Sequence, residues 1–326
     1  MVHQIWQEYP EIEKELTKVK QLMQEELRIK SPEIRQKIIE YIEAPGKYFR
    51  AGLCLFFALI KEGQIRESKV YLATAIELFH LATLIHDDVI DKSPLRRNIE
   101  TIHVSHSNRL AIYAGDYLMV MAGRLLSKSQ DLENHQLSFD WAIEGVLEGE
   151  IQQLVHQYDD KMTMKQYLSQ IRGKTGLLFA LSCYAGYYSK DEEKRINKRA
   201  FYIGEKIGMV FQITDDLIDY QITSHQSGKP QMQDIRNGIY AAPILYSLNK
   251  YPNLLKLANQ NKDSWSIGKI DDIYQKITNS GGLSATKALI KRYKIKIFKS
   301  ISLLPGNEKY RKDLLDLLEL VFLRNY

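Results

Sequence analysis

The stretch LIHDDVIDKSPLRR, from Leu84 to Arg97, decides the fold of this chain of 326 residues. Three aspartates, Asp87, Asp88 and Asp91, stand at the end of an apolar run, and two arginines close the stretch. Such a stretch is either a solvated patch of ion pairs or the buried end of a helix that meets a ligand. The rest of the sequence distinguishes the two.

The acidic motif occurs twice. The hexapeptide HDDVID recurs as TDDLID, with Asp215 and Asp219 in the places of Asp87 and Asp91. Residues i and i+4 lie on one face of a helix, so the two aspartates of each copy project together. Each copy follows a stretch too apolar to be a solvated helix face. The repetition therefore favours a functional site over a surface patch.

Paired carboxylates in apolar surroundings repel each other unless cations neutralise them. Oxygen ligands without cysteine and with few histidines select Mg²⁺ or Mn²⁺ rather than zinc. Mg²⁺ usually keeps several waters and is shared between one or two carboxylates and substrate phosphates. The two motifs therefore predict a phosphate-binding metal site.

Basic residues stand at the ends of apolar segments throughout the chain. Each alone is more often a solvated surface charge. Their repeated placement indicates phosphate contacts, with arginines as bidentate forks and lysines as point charges. The residues are Lys47 and Arg50 in PGKYFRAGL, Arg96 and Arg97 after the first motif, Lys174 in IRGKTGLLF, and Lys229 after the second motif.

The composition is that of a globular protein, with 44% hydrophobic and 26% charged residues. We see no signal peptide, and the longest apolar run, AGLCLFFALI, is about half of the roughly 20 residues that a membrane crossing needs. Cys54 and Cys183 form no metal or redox motif, which favours a reducing cytoplasm. A net charge of +5 suits an anionic ligand or membrane surface and is too weak to indicate nucleic acid.

Almost every segment has helical periodicity. Prolines stand mainly at element ends, β-type alternation is scarce, and no low-complexity linker divides the chain. The sequence therefore predicts one all-helical domain over residues 1–326. The predicted helical stretches include 11–27, 33–43, a run capped by Ser68 that ends at Asp91, 108–127, 132–156, 164–188 and 192–221.

With these motifs in this order, the sequence from about residue 40 to 245 resembles the trans-isoprenyl diphosphate synthases, the polyprenyl synthetase family. DDVIDKSPLRR resembles the first aspartate-rich motif of that family, and GMVFQITDDLIDY resembles the second. GEIQQL, RGKTGLL and GKP resemble the segments between and after them. The resemblance implies a single bundle of antiparallel helices around a deep central cavity, the isoprenoid synthase fold, usually in a homodimer.

The resemblance also implies roles for individual residues. Two or three Mg²⁺ ions would be held by Asp87, Asp88, Asp91 and Asp215 and, less directly, by Asp216 and Asp219. The allylic diphosphate would contact Arg96, Lys174, Thr175, Gln212 and Lys229. Isopentenyl diphosphate would contact Lys47, Arg50, His80 and Arg97. The implied reaction is the condensation of these two substrates by a prenyltransferase.

Small residues before the first motif bear on product length. Thr83 and Ala82 stand where short-chain members of the family tend to carry aromatic residues, so the path of the growing chain would be open. Phe79 lies one turn deeper, and a floor could be formed by Tyr113, Tyr117 or Met119. We therefore expect an all-trans product longer than farnesyl, of the type found in quinone side chains. Alanine is equally a common packing residue in any helical core.

Three positions depart from the family pattern. Pro45 replaces a glycine, and Ala51 replaces a proline. Ile239 replaces a second lysine on the allylic phosphate. The loss of that charge would either weaken substrate binding or mark the catalytic subunit of a synthase with a small second subunit.

Other classes of protein with a similar sequence would differ from this chain at particular residues or in their product. A terpene cyclase would lack the Lys47–Arg50 site, and a non-catalytic partner subunit would have lost aspartates. A farnesyl or geranylgeranyl synthase would differ only in product length. The basic segment 287–299, KALIKRYKIKIFK, is either a solvated helix face or a peripheral contact with anionic lipid.

Overall fold

A computed structural model of the chain describes residues 2–129, 139–221, 232–260 and 265–322. Helix accounts for 77% of the structure, which confirms the all-α prediction. The first helices are α1 (Pro10–Glu25), α2 (Pro32–Glu43), α3 (Phe49–Glu62), α4 (Glu67–Ile90), α5 (Ile102–Ser105) and α6 (Asn108–Ser129). Those that follow are α7 (Phe139–Val155), α8 (Met164–Ile171), α9 (Leu177–Tyr187), α10 (Lys194–Gln221), α11 (Gln233–Arg236), α12 (Ala242–Ser247), α13 (Leu254–Asn259), α14 (Ile267–Ser280), α15 (Gly282–Ser302) and α16 (Glu308–Phe322).

The chain forms two compact units. The first comprises Met1–Ser138, Leu181–Phe201 and Leu304–Leu314. Its core is α3, in which every residue of AGLCLFFALI is buried, because a helix that is apolar on all sides must be surrounded by protein. Helix α4 packs against α3 and α6.

Helix α4 carries the first acidic motif at its end. It is long and apolar enough to cross a membrane, but 72% of its most apolar window is buried inside the protein. Burial of this extent is typical of a core helix. The ammonium group of Lys69, near its start, is fully buried and donates to the carbonyl oxygens of Ala185 (2.9 Å) and Tyr188 (3.1 Å), which lie at and just after the end of α9.

The second unit comprises Phe139–Ala180, Tyr202–Leu303 and Leu315–Tyr326. Helix α7 packs against α8 and against a five-residue π-helix, Arg172–Gly176, that joins α8 to α9. Helix α12 packs against α14 and α15. The second acidic motif lies at the end of α10, in this unit.

Several boundaries differ from those predicted. Helix α4 begins at Glu67 with Arg66 as its N-cap, so Ser68 lies inside the helix. The predicted helix over 164–188 is interrupted by the π-helix, and the predicted helix over 132–156 is described only from Phe139. A two-stranded hairpin, β1 (Leu95–Arg96) and β2 (Ile99–Glu100), was not predicted, because strands of two residues are too short for alternation to be detected. The single-domain organisation and the central cavity stay predictions.

Candidate active site

The first acidic motif has one buried and two accessible aspartates. Asp88 is 1% exposed, whereas Asp87 is half-buried and Asp91, the C-cap of α4, is exposed. The Asp88 carboxylate accepts from Nε and Nη2 of Arg96 (2.8 and 2.5 Å) on one oxygen and from the hydroxyl of Tyr41 (3.1 Å) on the other. Asp88 is therefore neutralised by the protein itself.

The hairpin after α4 separates the two arginines. Arg97 and Asn98 form its two-residue turn, with φ of 50° and 66°, the backbone pattern of a type I′ turn. Arg96 turns back to Asp88, while the Arg97 guanidinium reaches Gly46, where a Cβ would overlap it. A side chain at position 46 would therefore displace the end of the Arg97 side chain, a contact that the sequence alone did not reveal.

Arg97 belongs to a cluster in the first unit with Arg50 and His80. His80 and Arg97 line a small cavity of about 20 Å³, and Nη1 of Arg50 lies 2.9 Å from Nε2 of His80. Burial, followed by the charges of Arg50 and Arg97, holds the pKa of His80 well below 6.5. The neutral imidazole therefore accepts from Arg50, and Arg97 brings a fixed positive charge to the lining of the cavity.

Glu77 lines the same cavity and was missed in the sequence. It is 7% exposed, and its carboxylate accepts the backbone N–H of Ala51 (3.0 Å) at the start of α3. Burial raises the pKa of Glu77, opposed by that N–H and by the charge of Arg50. A carboxylate in the apolar run ATAIELFHL, one turn before His80, was the available signal.

The second acidic motif repeats the construction of the first. Asp216 is 7% exposed, and its carboxylate accepts the hydroxyl of Tyr167 (2.5 Å) and Nε2 of Gln212 (2.8 Å). Gln212 in turn accepts the hydroxyl of Thr175 (2.6 Å). Burial raises the pKa of Asp216 to about 6, and the two hydrogen bonds limit that rise. Asp215, one residue earlier, is exposed.

Asp219 has a different environment from Asp91, its counterpart in the first motif. Its carboxylate oxygens accept the backbone N–H groups of Gln233 (3.0 Å) and Asp234 (3.1 Å) at the start of α11. The end of α10 is thereby fixed to the segment that follows the second motif. These contacts favour a capping role for Asp219.

The π-helix of the second unit carries Lys174 and Thr175. Such segments are frequent at functional sites, because the extra residue changes the direction of the side chains. Nζ of Lys174 lies 3.0 Å from Oε2 of Glu150 on α7. The approach of α7 depends on Gly149, where a Cβ would overlap the backbone of Gly173 and Lys174.

The remaining predicted residues differ in how far they are exposed, and one lies outside the described part of the chain. The carbonyl oxygen of Lys47 accepts the indole N–H of Trp6 (2.6 Å). Lys229 lies outside the described residues. Phe79 and Ala82 have no accessible surface, and only Thr83, whose hydroxyl donates to the carbonyl of His80 (2.8 Å), is partly exposed. Of the three proposed length-determining residues, the structure leaves Thr83 accessible.

Among the described residues, no three side chains of His, Cys, Asp and Glu lie close enough together to enclose a metal ion. This donor set is unlike a calcium cage or a structural zinc site. It fits an ion that keeps waters and is completed by substrate phosphate, because Asp87 and Asp91 are accessible while Asp88 is turned inward.

Two helices of this all-helical chain, α4 and α10, thus end in paired aspartates. The comparisons are specific: residues 32–277 match the polyprenyl synthetase family. The chain therefore belongs to the polyprenyl synthetase family, a family of prenyltransferases.

Relatives and solved structures agree with this assignment. The chain is 30% identical over 285 residues to heptaprenyl diphosphate synthase component 2 of Bacillus subtilis (strain 168), covering 87% of this chain and 80% of that protein. It superposes on heptaprenyl diphosphate synthase from Staphylococcus aureus with a TM-score of 0.88 and 31% identity, covering 97% and 99% of the two chains. A geranylgeranyl pyrophosphate synthase from Lactobacillus brevis gives 0.89 and 32%, with 99% of each chain covered. The predicted isoprenoid synthase fold is confirmed.

Proposed function

We propose that the protein condenses isopentenyl diphosphate with an allylic diphosphate and releases an all-trans polyprenyl diphosphate longer than farnesyl. The observation that carries the proposal is the repeated construction of the two acidic motifs. In each, the second aspartate is buried and receives a tyrosine hydroxyl, from Tyr41 or Tyr167. This arrangement fixes the helix end and leaves the first aspartate, Asp87 or Asp215, accessible to a ligand.

Mg²⁺ would be held by Asp87 and Asp91 in the first motif and by Asp215 in the second. When bound, it would neutralise charge on a diphosphate. We assign Asp88 and Asp216 to positioning, because their oxygens already accept hydrogen bonds from Arg96, Gln212 and the tyrosines. Asp219 would act in the same way through its contacts with the start of α11.

The cations divide between the substrates. Arg50, His80 and Arg97 would hold isopentenyl diphosphate at the cavity of the first unit, with Lys47 nearby in sequence. Lys174 and Thr175, placed by the π-helix, would contact the allylic diphosphate with Gln212, Arg96 and Lys229. The Lys174–Glu150 ion pair would orient the ammonium group before substrate binds.

The reaction needs no protein nucleophile. The allylic C–O bond breaks and its electron pair leaves with the diphosphate, whose charge the basic side chains stabilise. The double bond of isopentenyl diphosphate attacks the allylic carbocation and forms the new C–C bond. The positive charge is then on a carbon of the former isopentenyl unit. The carbon next to it loses a proton to the released diphosphate, and a new double bond forms between the two. The role of the protein is to bind, orient and exclude water.

Product length and assembly are part of the proposal. Relatives of this chain include synthases described as heptaprenyl, decaprenyl and solanesyl, which supports a medium or long product. Two relatives are each component 2 of a synthase, which is the observation in favour of a second subunit. We propose a cytoplasmic homodimer that binds no nucleic acid.

The test is to incubate the purified chain with Mg²⁺, isopentenyl diphosphate and farnesyl diphosphate, and to size the products by mass spectrometry. A ladder that ends at one length above geranylgeranyl supports the proposal and shows that the chain needs no partner. A product that ends at geranylgeranyl identifies a shorter-chain synthase instead. The proposal is contradicted if the folded protein forms no condensation product with any allylic primer, even when a component 1 subunit is added.

A further inference from the structure

Helix α15 holds an unusual concentration of positive charge. Between Asp272 and Glu308 the sequence contains no acidic residue. The cations of α15 are Lys287, Lys291, Arg292, Lys294, Lys296 and Lys299. Since their summed charge exceeds the +5 of the whole chain, the rest of the protein is slightly acidic. The positive charge is therefore local.

The structure separates α15 into two faces. Its buried side is apolar and packs into the second unit through Leu289, Ile290, Ile297 and Ile301. The outer side presents Lys287, Lys291, Arg292, Lys296 and Lys299, all exposed, which we call the basic face. Lys294 does not belong to it, because its Nζ donates to the carbonyl oxygen of Phe322 (2.6 Å). In the described part of the chain, no carboxylate forms an ion pair with the basic face.

Apolar side chains lie within the basic face rather than beside it. Ile295 and Leu303 are each 59% exposed, and both continue the i+4 row of Lys291 and Lys299. Ile295 stands between Lys291 and Lys299, and Leu303 follows Lys299 at the C-cap, whereas a solvated helix face is polar along its length. A row that alternates cations and aliphatic side chains suits an interface between water and hydrocarbon.

The neighbouring helix α10 extends the surface. Tyr202 is 50% exposed, and Nζ of Lys206 lies 5.6 Å from the centre of its ring. Burial lowers the pKa of Lys206, the charge of Glu205 opposes that change, and the charge of Lys296 on α15 adds to it. An exposed tyrosine beside lysines is typical of the zone of lipid headgroups.

We propose that the basic face of α15, with Ile295, Leu303 and Tyr202, docks the protein on an anionic lipid surface. The lysines would contact the headgroups, and the aliphatic side chains would enter the interface beneath them. A nucleic acid would also attract the charge, but it would leave Ile295 and Leu303 in contact with water. The inference does not depend on prenyl transfer, because none of these residues is assigned to substrate.

The test is flotation of the full chain with vesicles of phosphatidylcholine alone or enriched in phosphatidylglycerol. Each basic residue near an anionic surface contributes roughly a fivefold change in partitioning. The triple variant Lys287→Gln/Lys291→Gln/Arg292→Gln should therefore bind anionic vesicles roughly a hundredfold more weakly. The wild type should bind the anionic vesicles and dissociate from them in high salt, and it should not bind the neutral vesicles.

A matched control is available in and between the first two helices. Lys14, Lys30 and Arg35 are exposed, but Glu13, Glu15 and Glu33 stand close by in sequence. Replacing these three cations by glutamine makes the same change in net charge and should leave vesicle binding intact. A further pair is Ile295→Ala, expected to weaken binding, against Ile267→Ala, at an isoleucine that is 80% exposed on α14.

Four results would overturn the proposal. The first is that the wild type does not bind anionic vesicles, and the second is that both triple variants lose the same amount of vesicle binding. The third is that the two isoleucine variants bind vesicles equally well. The fourth is that the α15 triple variant loses binding to RNA while its binding to vesicles is unchanged. Circular dichroism and basal turnover should be those of the wild type in every variant.

Discussion

A tyrosine hydroxyl on a buried aspartate is the smallest repeated device in this protein. Because Asp88 is neutralised by Arg96 and Tyr41, the accessible Asp87 is left to bind the ligand. We expect Asp87→Asn to lower turnover by on the order of a hundredfold or more, since it removes a ligand for Mg²⁺. The free energy of unfolding should not change. Steady-state rates and urea unfolding measure the two effects.

Asp88→Asn is the matched control, because it removes one charge from the adjacent position. The amide keeps the volume of the carboxylate but leaves Arg96 without its negative partner. We expect unfolding to become easier by about 2 kcal/mol. If Asp87→Asn kept near-normal turnover, or if Asp88→Asn left stability unchanged, the two roles would have been assigned wrongly.

His80 should make the protein sensitive to acid. Its pKa in the folded state is well below 6.5, the value expected in the unfolded chain. Above pH 6.5 both states are neutral at this residue. As the pH falls below 6.5, the unfolded state binds the proton first, so stability is lost at up to about 1.4 kcal/mol per pH unit.

The variant that isolates this effect is His80→Gln, since glutamine can still accept from Arg50 but does not titrate. Urea unfolding at pH 7 and at pH 5.5 should show a smaller loss of stability for the variant than for the wild type. Identical pH dependence in the two proteins would mean that His80 is protonated in the folded state.

At the scale of elements, helix α3 begins without a side chain of its own as a cap. Its N-cap, Tyr48, is left-handed, with φ of 49°, and the first N–H groups are met by Glu77 from α4. Glu77→Ala should lower stability by about 1 kcal/mol and raise KM for isopentenyl diphosphate, because Arg50 stands in the first turn of α3. KM for the allylic substrate should change little. Rescue by Glu77→Gln, which keeps an acceptor for Ala51, would distinguish capping from charge.

Close packing of helix backbones can be tested with two glycines. Gly149→Ala should destabilise the second unit by about 2 kcal/mol, because its Cβ would overlap the π-helix that carries Lys174. Gly123→Ala, on the exposed side of α6, has open space around its Cβ and should stabilise by about 0.8 kcal/mol. Thermal unfolding should therefore shift in opposite directions. A gain of stability in both variants would refute the close approach.

The features that the sequence predicted are local along the chain, whereas those that it missed depend on contacts between residues far apart in sequence. The ends of α4 and α10 followed from local periodicity, and so did the aspartates that stand there. Tyr41 and Tyr167 were missed, because they meet their aspartates across 47 and 49 residues, a separation that no local pattern encodes. Glu77 was missed for a related reason: its partner is a backbone N–H on another helix. The sequence located the charges, and packing determined which of them stay accessible.

At the scale of the whole molecule, helix α7 leaves an apolar row exposed. Leu147, Ile151 and Leu154 are about half exposed, and Val155 is 71% exposed. Their spacing places them on one side of the helix, and a contiguous apolar row of this kind is typical of a surface that another protein covers. This row supports the homodimer that we propose, in which each copy would bury the α7 of the other or a surface next to it.

The last prediction concerns the effect of a charged substitution on the proposed dimer. Ile151→Asp places a charge in the centre of the row and should convert the protein to a monomer, because an unpaired charge in an interface is costly to bury. Ile267→Asp makes the same change at a more exposed isoleucine on α14 and should leave the dimer intact. Sedimentation velocity over a range of concentrations measures both. A wild type that sediments as a monomer, or an Ile151→Asp variant that remains dimeric, would exclude α7 as the interface.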